Sequence, residues 1–581
     1  MKVTDFIANY IASLHIEHVF VLQGGAALHL IDSVEKHPLL TAIPMQHEQA
    51  CAMAADAYAK SNHKLGVTMV TSGPGATNLL TGIASSFFDS VPSLHITGNV
   101  ASFRQSDNLG VRQYGFQETD IVSMAKPITK FSVRLEKAED IITILPKAIR
   151  IALEGRMGPV LIDIPDNFQR VELDTIIDFN TLNEQIFPCN FESDNFDLTA
   201  EFIHLFARSI KPIFVFGSGI LHSGGAQRAV DAATHFGIPF LTTWPVKGIC
   251  NYDEPLNLGN FGTHSFRGNN FVIQNADLII SLGCRLDSRA TAKLDTFATK
   301  ASIAIVDIDL AELNKFESFG RRIDFKFNVN CLKFLEALNE IDASFIKSSK
   351  IKPWLAYINF IRNKYNFIPN YNFDCINPYL AAKYLTKHSN RKEIYCIDTG
   401  TCLPLTLVYG EEKQGDKFLS SYNNTPMGYA LPAAIGAALS SKKHVYCISG
   451  DGGLQMNIQE LSTLYKLQLP VTIIVFNNSG HCMIKQTQDD WLDSNYAAAD
   501  NNHGLPDINF SEVSTAYGIK SFRVYTNNDF EKTLEQLNKS EPALIELIIS
   551  SDFRYEPIIK YGNPLEMMSP AIEHGKDDHP N

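Results

Sequence analysis

The run His444–Gln488, HVYCISGDGGLQMNIQELSTLYKLQLPVTIIVFNNSGHCMIKQTQ, constrains this chain more than any other. Val445–Ser449 is a short apolar, β-favouring stretch cut off by Gly450-Asp451-Gly452-Gly453. From about Asn457 to Lys466 the spacing turns helical, with Ile458, Leu461 and Leu464 on one face. Val471–Phe476 reads as a second buried strand, closed by Asn477-Asn478. Such a strand–helix–strand unit crosses over right-handedly and yields two parallel strands. Asp451 and Asn478 then both follow carboxyl ends of neighbouring strands, the edge where open α/β sheets bind ligands. A carboxylate from Asp451, an amide oxygen from Asn478 and a carbonyl near Gly480 make three hard ligands. They leave room for phosphate oxygens and water, which is how Mg²⁺ is held. Gly450, Gly452 and Gly453 let the backbone approach a diphosphate, and a following helix start offers free amides. The plainer alternative is an Asp and an Asn that cap turns.

The chain has 581 residues, enough for about three or four domains. At 45% hydrophobic and 19% charged it can bury sizeable cores, and its formal net charge of −13 excludes a basic nucleic-acid footprint. The ten cysteines are scattered without a CxxC pair, so buried free thiols in a reducing compartment are expected. The opening MKVTDFIANYIASL is amphipathic rather than signal-like, and no apolar run of about twenty residues marks a membrane span. A cytoplasmic protein is the expectation.

Residues 1–175 alternate helix and strand patterns, with Thr4 placed to cap a helix through about Leu14. Strands are expected at His18–Leu22, Thr41–Met45, Gly66–Thr71, Ser93–Thr97 and Val160–Ile164. The third of these breaks at Ser72-Gly73-Pro74-Gly75, and an Ala-rich helix to about Ser61 follows Gln46-His47-Glu48. Polar residues 174–197 read as a linker. A second α/β unit, 195–345, carries strands at Pro212–Phe216, Leu278–Leu282 and Ser302–Ile308. Residues 341–373 read as a connection with some helix. A third unit spans 373–555, and 556–581 reads as a tail whose last nine residues, EHGKDDHPN, are expected to be disordered.

Nearly the whole chain resembles the thiamin diphosphate-dependent acetolactate synthase family, in its large catalytic subunit. The resemblance is carried by HEQACAMAADAYA (47–59), TSGPGATNLLTG (71–82), DSVPSLHITG (89–98), FQETDIV (116–122), GPVLIDIP (158–165), PMGYALPAAIGAAL (426–439) and GDGGLQMNIQELSTLYKLQLP (450–470). It implies an α/β fold of three doubly wound parallel-sheet domains of the thiamin diphosphate-enzyme type: pyrimidine-binding, central and diphosphate-binding. It further implies a cofactor site shared between subunits, hence a homodimer or homotetramer, and a small regulatory subunit. Neither nucleic acid nor membrane is implied. The activity implied is a transferase that joins a pyruvate-derived hydroxyethyl unit to a second 2-oxo acid, in branched-chain amino acid biosynthesis.

By the same resemblance Glu48 faces the pyrimidine N1′ of thiamin diphosphate; the plainer alternative is a helix-capping glutamate. Met427 wedges between the cofactor rings, and Gly25 and Gln117 belong to the reacting centre. Gly450, Asp451, Gly452, Gly453, Asn478, Gly480 and His481 hold the diphosphate, with Mg²⁺ on Asp451, Asn478 and Gly480. Phe116 lines the substrate end and Arg289 binds the acceptor carboxylate. A central FAD site is implied at Arg156, Gly217, Gly219, Arg285 and Asp307. The chain departs from the family at Thr487, where a Trp is common, at Asp166, where a Lys is common, and at Tyr422-Asn423-Asn424-Thr425-Pro426, which replaces a Gly-rich loop. These departures raise two-carbon transfer to a nucleotide-linked keto-sugar as an alternative, beside simple 2-oxo acid decarboxylation; an inactive cofactor-binding paralogue is a further class, against which Glu48, Asp451 and Asn478 all stand.

Overall fold

The computed structural model describes residues 1–107, 109–174, 178–179, 182, 196–345, 348–388 and 392–572. The stretch read as a linker lies mostly outside these residues, and 573–581 lies wholly outside.

Apolar runs of three to seven residues, the central ones rich in Val, Ile and Leu and buried on both faces, build three six-stranded parallel sheets. The first has the order β2-β1-β3-β4-β6-β5. Its strands are β1 His18–Leu22, β2 Thr41–Pro44, β3 Gly66–Val70, β4 Ser93–Asn99, β5 Phe131–Arg134 and β6 Pro159–Pro165. The second, β12-β11-β10-β7-β8-β9, contains β7 Pro212–Phe216, β8 Phe240–Thr242, β9 Asn257–Asn260, β10 Leu278–Leu282, β11 Ser302–Val306 and β12 Phe325–Phe327. The third, β14-β13-β15-β16-β18-β17, contains β13 Ile394–Ile397, β14 Lys417–Leu419, β15 Val445–Gly450, β16 Val471–Asn477, β17 Lys520–Val524 and β18 Ala543–Ile548. Counting strands within each sheet, the first and third share one order. Both therefore have a switch point between their first and third strands, where a crevice forms.

Helix Glu48–Asn62 joins these two sheets. It is made largely of alanine and is buried almost all round. One side packs on β3, and the other packs on helix Ala430–Ser441 of the third domain. The approach is close enough that a Cβ on Gly436 would lie 2.1 Å from the Ala54 carbonyl oxygen. Asp56, fully buried in the same helix, accepts from Ser86 Oγ (2.8 Å) and from Tyr429 O–H (2.6 Å). Lys60 Nζ lies 2.8 Å from both Asp56 and Asp89 and donates to Ser420 O at 2.7 Å. This buried cluster sets one ammonium between two carboxylates, and it ties the loop ahead of Met427 to the first domain.

Three boundaries differ from the sequence reading. The first helix is Val3–Ser13, and Thr4 lies inside it, buried, accepting from Ser33 Oγ at 2.8 Å. Lys2 bridges Glu172 in extended form, so the helix starts one residue after it and Thr4 cannot be its cap. Helix Ser348–Tyr365 is part of the central core rather than a plain connection: Trp354 is buried there and donates to Pro212 O at 3.1 Å. The beginning of the tail is ordered too. Ile558–Ile559 (β19) and Met568–Ser569 (β20) form an antiparallel hairpin on the central domain. Leu565 is buried in that core, and Arg267 donates to Met568 O (2.8 Å) and Pro570 O (2.6 Å).

Gly436→Ala tests the helix packing. Overfilling of this kind costs about 1–3 kcal/mol, so the urea midpoint should fall measurably. An unchanged midpoint would show that the two helices separate without cost.

Candidate active site

The register Val445↔Val471 through Gly450↔Phe476 sets the ends of β15 and β16 side by side. Asp451 is the first residue of helix Asp451–Met456, so the helix begins at the strand end and not near Asn457. Asn457 instead interrupts it, donating to Gly428 O at 2.7 Å, and a second helix, Glu460–Leu467, follows. Asp451 accepts from its neighbours Gly452 N (2.7 Å) and Gly480 N (2.9 Å). Burial raises its pKa, and these amides together with His481 pull it back.

The Asn478 amide, 5% exposed, sets one terminal atom 3.3 Å from Asp451 Oδ2 and 2.7 Å from Gly480 O. With its nitrogen turned that way it donates to both. With its oxygen turned that way three oxygens converge on one point, an arrangement held together by a cation. Asp451, Asn478 and Gly480 are thus brought together as the sequence spacing predicted, and their chemistry fits Mg²⁺.

Met427 and His481 flank this cluster. A Cβ on Gly452 would lie 2.6 Å from the His481 ring and 3.0 Å from the Met427 methyl. Gly453 is pressed against Asp398, whose carboxylate would be 2.8 Å from a Cβ there. Asp398 was not singled out in the sequence. It follows β13 at the switch point, is 1% exposed, and accepts from Gly428 N (3.0 Å), Thr399 N (2.9 Å) and Ser449 Oγ (2.9 Å). Burial pushes its pKa up to about 6 against these donors. It fixes the Met427–Gly428 turn against the Gly452–Gly453 helix start. The available signal was a strand ending in Asp-Thr-Gly at the carboxyl edge of a parallel sheet.

In the first domain the Ser72–Gly75 turn after β3 is the hub. Glu48, the first residue of its helix and 7% exposed, accepts from Asn78 Nδ2 at 3.0 Å and lies against Gly75. Gln117, at φ +63°, packs on Gly73. Ala26 N donates to Thr71 Oγ1 at 3.1 Å, which places the Gly25 turn beside them. The close approach falls on Gly24, where a Cβ would lie 2.5 Å from Thr71; around Gly25 nothing lies within 4 Å, so packing does not require a glycine there. Phe116 is 85% exposed, on a loop whose Tyr114 and Gly115 amides donate to Glu118. Gly25, Glu48 and Gln117 are therefore assembled, with Phe116 projecting beside them. Among the described residues no hydrogen bond joins this group to Asp451, Asn478 or Met427.

A cavity at the carboxyl edge of the central sheet is lined by Gly217, Gly283, Arg285 and Arg289, and by Tyr422 and Asn423 from the third domain. Arg289 donates to Tyr422 O at 3.0 Å and stacks over Trp244 at 5.4 Å. Gly219 lies outside that lining and serves close packing, with Gly283 Cα 2.6 Å from where its Cβ would be. Arg156 is also outside, 2.9 Å from both Asp309 and Glu312. Asp307 follows β11, accepts from Asp309 N at 2.9 Å, and has its pKa raised by burial. Thr487 is exposed on helix Cys482–Trp491, donates to Met483 O at 3.1 Å, and does not line this cavity.

Comparison with known proteins places these features in a class. The thiamine pyrophosphate enzyme models match along the chain: the N-terminal TPP binding domain at residues 1–124, the central domain at 199–338 and the C-terminal TPP binding domain at 398–547. This is a thiamine pyrophosphate enzyme, and the oxygen cluster lies in the C-terminal TPP binding domain. The acetolactate synthase large subunit of Cyanidium caldarium is 33% identical, over 95% of this chain and 94% of its own. The probable acetolactate synthase large subunit of Methanococcus aeolicus is 32% identical over 97% and 94%, and the isozyme 2 large subunit of Escherichia coli K12 31% over 97% and 98%. The chain belongs to the family of acetolactate synthase large subunits.

Gly452→Ala would drive a methyl into His481 and Met427. The expected result is a loss of thiamin diphosphate affinity on the order of tenfold, the scale of about 1.4 kcal/mol, by titration calorimetry. Unchanged affinity would remove Met427 and His481 from the cofactor's surroundings.

Proposed function

We propose that this chain is the catalytic subunit of an acetolactate synthase, condensing a two-carbon unit from pyruvate with a second 2-oxo acid. The observation that carries this reading is the convergence of Asp451 Oδ2, the Asn478 amide and Gly480 O at one point. Asp451, Asn478 and the Gly480 carbonyl would hold Mg²⁺, and through it the diphosphate. The Gly452 and Gly453 amides, in the first turn of helix Asp451–Met456, support the same charge. Thiamin diphosphate, when bound, supplies the electron sink that lets a 2-oxo acid lose carbon dioxide and its carbon attack a carbonyl.

The protein's part is to orient, to exclude water and to move protons. Glu48 is the group that would exchange a proton at the pyrimidine N1′. Its burial beside Asn78 keeps water from competing for that proton. Met427 would bear on the cofactor rings from a turn that Asp398 holds. The Gly25 amide, with open space around its Cα, would polarise a substrate carbonyl, and Phe116 and Gln117 would border the substrate.

The membership in the family supports a complete site that takes Glu48 from one copy and the metal cluster from another, in a homodimer or homotetramer. Relatives bear the name large subunit, which supports a small regulatory partner. The central cavity supports an FAD site, with Gly217 and Arg285 on its wall and Arg289 directed to an acceptor carboxylate. Among the described residues no helix is long and apolar enough to cross a membrane.

Pyruvate fed to the protein with thiamin diphosphate and Mg²⁺ should yield carbon dioxide and 2-acetolactate, identified by NMR. Preferential formation of an acetyl-branched sugar when keto-sugars are added would overturn the assignment of the acceptor. Asp451→Ala should abolish Mg²⁺-dependent cofactor binding, and chelation of Mg²⁺ should do the same to the unsubstituted protein.

A further inference from the structure

We propose that Glu460 is a positioning residue for Glu48: from the third domain it holds the Gln46–His47 backbone that sets Glu48 at the start of its helix. The inference rests on the role given to Glu48 above. The amino-acid spacing gives no hint of it, because the two residues of the key hydrogen bond stand 414 positions apart.

Between the end of β2 at Pro44 and the helix start at Glu48 the chain has three residues. Met45 N donates to Val21 O at 2.9 Å, so β1 fixes the first of them. Gln46 N donates to Glu460 Oε1 at 2.9 Å, and the His47 amide also favours the ionised Glu460. His47 is the helix cap, its Nδ1 accepting from Gln49 N at 3.1 Å. The Gln46 amide is therefore answered by a carboxyl group from another domain, through a part-buried bond although Gln46 itself is exposed. With β1 holding Met45 and that fully buried carboxyl holding Gln46, the connection has little freedom.

Glu460 itself has no access to solvent. Its Oε2 accepts from Thr463 Oγ1 at 2.8 Å, which fixes the rotamer. Burial pushes its pKa up to about 7, against the Thr463 hydroxyl and the two amides. The ionisable group facing it from helix Glu48–Asn62 is the Cys51 thiol, raised by burial and then by Glu460 and Glu48. Helix Ala430–Ser441, packed on Glu460–Leu467, has no ionisable side chain. A carboxyl raised in the folded state favours the protonated form. The stability this gives is complete below about 4.5 and is lost as pH rises through about 7.

Two variants of the full chain separate reach from charge. Glu460→Asp keeps the charge and withdraws the oxygens by one methylene. Glu460→Gln keeps the reach, with an oxygen for the Gln46 amide and an N–H₂ for Thr463. In the cofactor-free protein, hydrogen exchange of segment 45–49 should quicken in the Asp variant and stay slow in the Gln variant. With thiamin diphosphate bound, deuterium exchange at thiazolium C2 should slow in Glu460→Asp on the order of 10- to 100-fold. KM for pyruvate should stay within about threefold, and the Gln variant should restore most of the C2 exchange rate. The Gln variant should also lack the fall in stability between pH 4.5 and about 7.

Wild-type C2 exchange in Glu460→Asp, or unchanged protection of segment 45–49, would overturn the proposal. So would a Gln variant impaired more than the Asp variant. Glu48→Gln is the companion control. If it exchanges C2 at the wild-type rate, the role of Glu48 is wrong, while the amide protection of segment 45–49 still judges the hold of Glu460.

Discussion

The contact on which most of this structure depends is between two helices of small residues. Glu48–Asn62 and Ala430–Ser441 meet with so little side chain between them that backbone approaches backbone, and no residue larger than glycine fits at their closest point. That contact joins the first and third sheets, and other links across the same seam stand on it. They include the Lys60–Asp56–Asp89 cluster, the Asn457 amide beside Met53, and Glu460 against Gln46. The helix whose body makes the seam is the helix whose first residue is Glu48. Domain adhesion and placement of the acid are one structural fact.

The cofactor edge shows a division of labour between strands and carboxylates. Strand register delivers Asp451 and Asn478 to the same level. Carboxyls then hold the loops that no sheet reaches: buried Asp398 the Met427 turn, half-buried Glu118 the Phe116 loop. Each stands out of bulk water or accepts several backbone amides at once, which is how a single side chain can replace a missing ladder. The central domain follows the same plan with Arg156 and Arg285, which share Glu312.

Local pattern made much of this legible. The strands are apolar runs, several of them stopped by glycine, asparagine or aspartate, and parallel sheets follow from their alternation with helices. The Gly450–Gly453 and Asn477–Gly480 turns declare their chemistry because each comes directly after a strand. What stayed hidden depends on partners remote in sequence. Thr4 looks like a cap until Lys2 is seen to pair with Glu172. The helical period from Asn457 runs on smoothly in the sequence, yet the Asn457 side chain is claimed by Gly428. Asp398 and Glu460 are ordinary acids until Gly428, 30 residues on, and Gln46, 414 residues back, come to meet them. Arg156 reads as a ligand-facing residue and is held by Asp309 and Glu312 of its own chain.

The hairpin of β19 and β20 makes the central domain discontinuous. Its sheet and helices run from Ala200 to Tyr365, but Leu565 fills its core and Arg267, itself buried, is satisfied by the carbonyls of Met568 and Pro570. During synthesis, domains fold in the order in which they emerge from the ribosome. Here the second domain to emerge is the last to close, because its final pieces come after the whole of the third. Closure of the core around Arg267 and Leu565 therefore waits on residues synthesised after the whole of the third domain.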